Sequence, residues 1–115
     1  MSSPTSRTLQ YLRDDGMLAG VVEKWIPKVK QRVDLFGFID IVAIRPGKDG
    51  CLGVQATSRS NVAARRTKIL GLNPARVWLQ TGNRIWIVGW SKKGAKGKRK
   101  LWTPSVSVVT LEDFE

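Results

Sequence analysis

The sequence predicts an α/β (α+β) fold, with a single central mixed sheet flanked by helices. Three observations support this prediction. The chain has 115 residues, of which 42% are hydrophobic, so residues 1–115 can form one domain around one core. The most apolar run, residues 35–44 (LFGFIDIVAI), is rich in β-branched and aromatic side chains, as in a buried strand. Segments with helical spacing flank the strand-like runs, and the resulting order of elements is α-β-β-β-α-α-β-β.

The first two elements are defined by apolar spacing and by residues that end them. Leu9 and Leu12 have helical spacing, which predicts a helix over residues 5–15 that stops at Gly16. Residues 18–26 then read as a strand that ends at Pro27.

The middle of the chain predicts a pair of antiparallel strands. A basic loop over residues 28–33 leads into the apolar strand 35–44. Lys48-Asp49-Gly50 contains a strong turn pair, and residues 51–57 form the returning strand.

The remaining elements alternate between helix and strand. Gly71 ends a helix over residues 61–70, and Asn73-Pro74 starts a shorter one over residues 75–81. Residues 84–90 form a strand, residues 91–100 a turn rich in glycine and lysine, and residues 101–111 a last strand broken by Pro104.

The charge balance points to a polyanionic partner. The formal net charge is +11, from 20 Lys and Arg against nine Asp and Glu. Residues 16–111 hold 18 of these cations and only four of the acids. A field of this sign concentrates nucleic acid or, as a second choice, an anionic membrane surface. Because five Trp accompany the charge and no amphipathic membrane helix is visible, we expect nucleic acid and no membrane.

Several classes of site and location are excluded by residues that the chain lacks. With no histidine and only Cys51, a Cys/His zinc site, a His-dependent triad and an internal disulfide are all excluded. A metal must therefore have oxygen ligands, which favours magnesium, manganese or calcium. No secretion signal and no apolar run of the roughly 18–20 residues of a membrane span is present, so we expect an intracellular, cytoplasmic protein.

Asp40 is the only charged residue in its apolar strand. A buried carboxylate costs several kcal/mol unless it is neutralised, so the residue is either paired with a buried Arg or Lys or serves as a metal ligand or catalytic acid. Gln55 and Thr57 share a face of the returning strand. Counted outward from Asp49, Asp40 and Gln55 are not directly opposite, and a bulge or the strand twist is needed to bring them together.

The block from Asp34 to Asn61, DLFGFIDIVAIRPGKDGCLGVQATSRSN, resembles the PD-(D/E)XK nuclease superfamily. In particular, it is similar to small phage and prophage nuclease-like proteins that resemble Holliday-junction resolvases. The family pattern is an acid late in one strand, then an acid-x-lysine on the next strand, then a helix. Asp40 matches the first acid, and Gln55-Ala56-Thr57 stands where acid-x-lysine is expected.

The resemblance implies a restriction-endonuclease-like αβββαβ core and metal-dependent hydrolysis of DNA, including branched or recombination DNA. It implies Mg²⁺ or Mn²⁺ as the cofactor, held by Asp40, Gln55, the carbonyl of Ala56 and Glu23, with no small-molecule cofactor. Glu23 is alternatively a surface residue paired with Lys24 or an arginine, and Asp34 reads as a turn or salt-bridge residue. Thr57 lacks the charge of the family's lysine, which Lys24 or Lys68 would have to replace.

Two basic clusters are candidate DNA contacts. The first, at the second helix, contains Arg59, Arg65, Arg66 and Lys68. The second, in the glycine-rich turn, contains Lys92, Lys93, Lys96, Lys98, Arg99 and Lys100. Each is alternatively a solvated surface. We expect Trp25, Trp86 and Trp90 to pack in the core or on the sheet, and leave Trp78 and Trp102 open.

Three functions are compatible with these features. The first is a metal-dependent DNA endonuclease, and the second is a catalytically degenerate nucleic-acid-binding module on the same fold. The third is a basic structural protein, such as a phage assembly factor without a nucleic-acid partner. The sequence is compatible with both a monomer and a homodimer.

Overall fold

The structure is a computed structural model that describes residues 3–115, and it has the expected mixed sheet flanked by helices. The three helices are α1 (Pro4–Asp14), α2 (Val62–Leu70) and α3 (Asn73–Gln80). The strands are β1 (Leu18–Val21), β2 (Lys24–Ile26), β3 (Gln31–Val33), β4 (Ile41–Ile44), β5 (Leu52–Ser58), β6 (Arg84–Lys93) and β7 (Leu101–Val109). Short 3₁₀ turns cover Arg59–Asn61 and Leu111–Phe114.

Five of the strands form one sheet in the order β1-β4-β5-β6-β7. Strands β5 and β6 are parallel and the other neighbours are antiparallel. A parallel pair needs a crossover, and α2 and α3 supply it between β5 and β6. The β2–β3 hairpin is a separate two-stranded sheet.

The core has two layers, one on each face of the sheet. Helix α1 begins at a capping box in which Ser3 and Ser6 each accept a hydrogen bond from the other's N–H, at 3.1 and 2.9 Å. Its Thr8 accepts from the indole N–H of Trp90 at 2.8 Å, and Leu12 is fully buried. The opposite layer lies under α2 and α3 and contains Phe38, Ile39, Ile69, Ala75, Ile85, Ile87 and Val109.

Three sequence expectations about strands are wrong. The expected strand 18–26 is two strands, β1 and β2, because the chain leaves the main sheet at Val22 and Glu23. The expected loop 28–33 is a turn followed by β3. Of the expected strand 35–44 only Ile41–Ile44 is a strand, although Phe38 and Ile39 are fully buried.

Both C-terminal strands differ from the expectation, since β6 is longer and β7 is two residues shorter but unbroken. Strand β6 continues past Trp90 to Lys93, and β7 runs from Leu101 to Val109 without a break at Pro104. Strand β7 is at the edge of the sheet, where a residue without an N–H group is tolerated.

Candidate metal centre

A tight loop between β3 and β4 brings two aspartates together. Leu35 and Ile39 exchange both backbone hydrogen bonds, at 2.9 and 3.0 Å, and form an isolated antiparallel bridge. The turn within this bridge has positive φ at Phe36 (57°) and Gly37 (86°). The next pair outward is Asp34 and Asp40. Such a position beside a hydrogen-bonded pair brings opposing side chains closest, so the loop sets these two carboxylates side by side.

Asp40 is held at the junction of three segments. Its N–H donates to the carbonyl of Val54 at 2.9 Å, and its carbonyl accepts from the N–H of Val22 at 2.9 Å. Its Oδ2 accepts from the N–H of Ala56 at 2.8 Å. The backbone of β5 therefore orients this carboxylate, and the bond to Val22 carries the following residue, Glu23, to the same place.

The pairing of β4 with β5 differs from the sequence expectation. Ile41 is opposite Val54, so one step further along the ladder Asp40 is adjacent to Gln55. A register centred on Asp49 would separate the two residues, but the observed ladder is centred between Gly47 and Lys48, which brings them together. The ladder is irregular at Asp40, because the N–H of Asp40 donates to the carbonyl of Val54, the residue that is already paired with Ile41.

Glu23, Asp34 and Asp40 form one carboxylate cluster, with an oxygen from each within 4.8 Å of the others. Asp34 belongs to the cluster although the sequence favoured a turn or salt-bridge role for it. Glu23 also accepts from Arg32 at 3.0 Å, which is the arginine partner that its alternative interpretation expected. Arg32 is 69% exposed in its side chain, so water screens this pair.

Gln55 completes the cluster from β5. Its Nε2 donates to Oδ2 of Asp34 at 3.1 Å, and the residue is 2% exposed. Its Oε1 is buried and has no hydrogen-bond partner. A buried polar atom without a partner is costly, and a cation bound beside the carboxylates would satisfy it.

The surroundings of Asp40 favour its protonated form. Burial, the neighbouring Asp34 side chain and the negative charges of Asp34 and Glu23 raise the pKa of Asp40 to about 8, against the lowering effect of the Ala56 N–H. Asp40 forms no ion pair within residues 3–115, so the alternative of a buried Arg or Lys partner is wrong. The cluster has a deficit of positive charge, which a divalent cation with hard oxygen ligands would correct.

Thr57, which the sequence comparison set against the lysine of PD-(D/E)XK nucleases, is a neutral side chain. Thr57 is 4% exposed and lies two residues beyond Gln55 on the same face of β5. Lys24 and Lys68, the proposed substitutes, are exposed. Within the described part of the chain, no lysine forms an ion pair with the three carboxylates.

The proposed DNA-contacting residues differ in how they are held. Arg59, Lys68, Lys92 and Lys93 are exposed, and Arg65 is half-buried. Arg66 is engaged within the protein, because it donates to Asp113 at 3.2 Å and to the carbonyl of Val108 at 3.0 Å.

The tryptophans also separate into two groups. Trp90 is 7% exposed and belongs to the core layer that contains Leu12 of α1. Trp86 packs against that layer, so both residues lie where they were expected. Trp25 is 53% exposed, so the expectation that it packs in the core or on the sheet was wrong.

Two general findings complete the description. No helix among residues 3–115 is long and apolar enough to cross a membrane. No protein-family model, no curated protein and no solved structure matches this chain.

Proposed function

We propose that this protein is a metal-dependent endonuclease that hydrolyses phosphodiester bonds in DNA. The observation that carries the proposal is the convergence of Glu23, Asp34 and Asp40 beside the unpartnered amide oxygen of Gln55. These groups are the oxygen ligands that Mg²⁺ and Mn²⁺ prefer. The site can accept such an ion because, within residues 3–115, Arg32 on Glu23 is the one cation paired with its three carboxylates.

Each residue of the candidate metal centre has a separate role in the proposed reaction. A bound Mg²⁺ or Mn²⁺ supplies a water of lowered pKa and stabilises charge on the scissile phosphate. Ala56 keeps Asp40 oriented through its N–H, at 2.8 Å from Oδ2. Asp40 loses its proton when it becomes a ligand, because ligation requires the carboxylate. Gln55 contributes a neutral oxygen where the family has an acid, so DNA phosphates would complete the ligand shell.

The charge of the chain supports DNA as the substrate. The net charge of +11 attracts a polyanion, and the exposed cations include Arg59 and Lys68 at α2 and Lys92 and Lys93 at the end of β6. A branched or recombination substrate is what the resemblance to Holliday-junction resolvases implies. We expect binding with little sequence preference, since phosphate contacts carry no base information.

A second candidate function is a nucleic-acid-binding module that has lost catalysis. Thr57 favours it, because a buried hydroxyl cannot replace the cation of the family's lysine. The two candidates share DNA binding and differ only in metal-dependent cleavage.

Cleavage of a fluorescent four-way junction and of matched duplexes, with Mg²⁺, Mn²⁺ or EDTA, separates the candidates. An endonuclease cuts with metal and not with EDTA, and Asp40→Asn abolishes the cutting. Asp49→Asn is the matched control, because it makes the same chemical change on an exposed turn outside the site. Wild-type protein that binds DNA but cuts with neither metal is a binding module.

The salt dependence of DNA binding tests the third function, a structural protein without a nucleic-acid partner. If several phosphates are covered, affinity falls by roughly 10³ or more between about 50 and 200 mM salt. Affinity that is flat over this range contradicts both DNA-binding candidates.

A further inference from the structure

The β2–β3 hairpin projects from the candidate metal centre. We define the hairpin arm as residues 24–33, which begin directly after Glu23 and end directly before Asp34. The arm pairs only within itself, and all of its residues are exposed except Ile26, which is half-buried. It carries Lys24, Lys28, Lys30 and Arg32 and no acid. An exposed hairpin of this size gains little stability from its own packing, so its composition points to a binding role.

One face of the arm continues into the metal centre. Trp25 is opposite Arg32 in the hairpin register, and continuing that register two residues toward the sheet, past Lys24 and Val33, leads to Glu23 and Asp34. Because side chains alternate along a strand, these four residues share a face. The ion pair between Arg32 and Glu23, at 3.0 Å, confirms this arrangement. Trp25 and Arg32 are thus about 6.6 Å further along the strands than the two carboxylates.

Trp25 presents an unoccupied aromatic surface. It is 53% exposed, and no aromatic ring or cation within residues 3–115 lies against its indole. The other exposed tryptophan, Trp102, is covered by the guanidinium of Arg7 at 3.7 Å from the ring centroid. An exposed indole on a cationic element is suited to stacking against a nucleobase, which offers an aromatic face in every sequence.

We propose that the hairpin arm holds a DNA strand beside the metal centre, with Arg32 on a backbone phosphate and Trp25 stacked on an unpaired base. This inference rests on the proposed function and deepens it by naming the substrate class. In an intact duplex both faces of each base are already stacked, so Trp25 favours DNA with unpaired bases near the bond to be cut. Gapped, flapped and branched DNA have such bases. The surplus of four cations on the arm favours DNA over a protein partner.

Binding in EDTA tests the inference without depending on catalysis. Fluorescence anisotropy measures the affinity of wild type, Trp25→Ala and Trp25→Phe for a single-stranded oligonucleotide and for a duplex of equal length. Trp102→Ala is the matched control, since it removes an exposed tryptophan away from the arm. We expect Trp25→Ala to weaken binding to the single strand by roughly 5- to 100-fold and binding to the duplex less than about twofold. Trp25→Phe should restore most of the loss, because a phenyl ring still stacks.

A second readout reports the stacking directly. A 2-aminopurine base placed in the single strand should be quenched by wild type and by Trp25→Phe, but not by Trp25→Ala. Equal losses on both DNAs, no loss on either, or an equal loss with Trp102→Ala would overturn the inference. A protein that binds neither DNA would overturn it too, as would a wild-type dimer that Trp25→Ala converts into monomers.

The inference and the proposed function can fail separately. If Trp25→Ala still cuts every substrate in a metal-dependent manner, the proposed endonuclease activity is supported and the proposed role of the arm is contradicted. If Trp25 stacks on DNA but the protein cuts no substrate, the proposed role of the arm is supported and the proposed endonuclease activity is contradicted.

Discussion

Replacing Asp40 by Asn should make the metal-free protein more stable at neutral pH than wild type. The folded protein raises the pKa of Asp40 from 3.8 to about 8 through burial and the neighbouring carboxylates. Between these pH values the folded chain retains a proton on Asp40 that the unfolded chain has released. The free energy of unfolding of the wild type therefore falls as pH rises, by up to about 1.4 kcal/mol per unit.

The asparagine imitates the protonated acid at every pH. Its carbonyl oxygen can accept from the N–H of Ala56, and its amide can donate toward Asp34. The difference in unfolding free energy between Asp40→Asn and wild type should grow from near zero at pH 4 to as much as about 4 kcal/mol at pH 7, three pH units higher. Metal binding should reverse this order of stability, because the wild type offers the ion an ionised aspartate and Asp40→Asn offers only a neutral amide.

Urea unfolding in EDTA between pH 4 and 8 measures this difference, with Asp49→Asn as the control for removing one exposed charge. Repeating the series with Mg²⁺ should stabilise the wild type increasingly toward pH 8 and leave Asp40→Asn nearly unchanged. A stability difference that does not vary with pH would refute the assignment of a raised pKa to Asp40. Equal stabilisation of both proteins by Mg²⁺ would show that the ion binds elsewhere.

Two further predictions concern Gln55 and the arginines of α2. Gln55→Glu adds a carboxylate beside Asp34, so the melting temperature in EDTA should fall below that of wild type. The rise in melting temperature on adding Mg²⁺ should exceed that of wild type. Thermal melts with and without metal measure both effects, and an unchanged response to Mg²⁺ contradicts the role of residue 55 as a ligand. Arg65→Ala should weaken DNA binding evenly across sequences and reduce the slope of log affinity against log salt by about 0.9 without loss of stability. Arg66→Ala should instead lower the unfolding free energy by about 1 kcal/mol, because its bonds to Asp113 and to a backbone carbonyl are lost. The opposite pattern for the two arginines would mean that Arg66 is the DNA contact.

The three helices and the strands β5, β6 and β7 could be predicted because their signals are local. Helix α2 and strand β5 were placed within one or two residues by apolar spacing and by flanking turns. Residues 35–39 were misread because an apolar run indicates burial and does not distinguish a strand from a buried loop. Phe38 and Ile39 are fully buried in a turn that reverses at Gly37, where φ is 86°.

The sequence by itself determined the chemistry that is available to the candidate site. The absence of histidine and the single cysteine limit any metal to oxygen ligands, and the isolated acid in an apolar run marks Asp40 as a buried carboxylate in need of a partner. The excess of cations likewise follows from composition and requires no structure. These conclusions depend on which side chains exist and on the cost of burying them.

Only the tertiary structure decided which acids are neighbours and which cations are engaged. Asp34 joins Asp40 because the Leu35–Ile39 bridge closes, and it joins Glu23 because the hairpin arm closes at its base. Contacts between residues that are six to 17 positions apart, as in this cluster, depend on how the chain closes on itself, and side-chain spacing along one element contains no information about that closure.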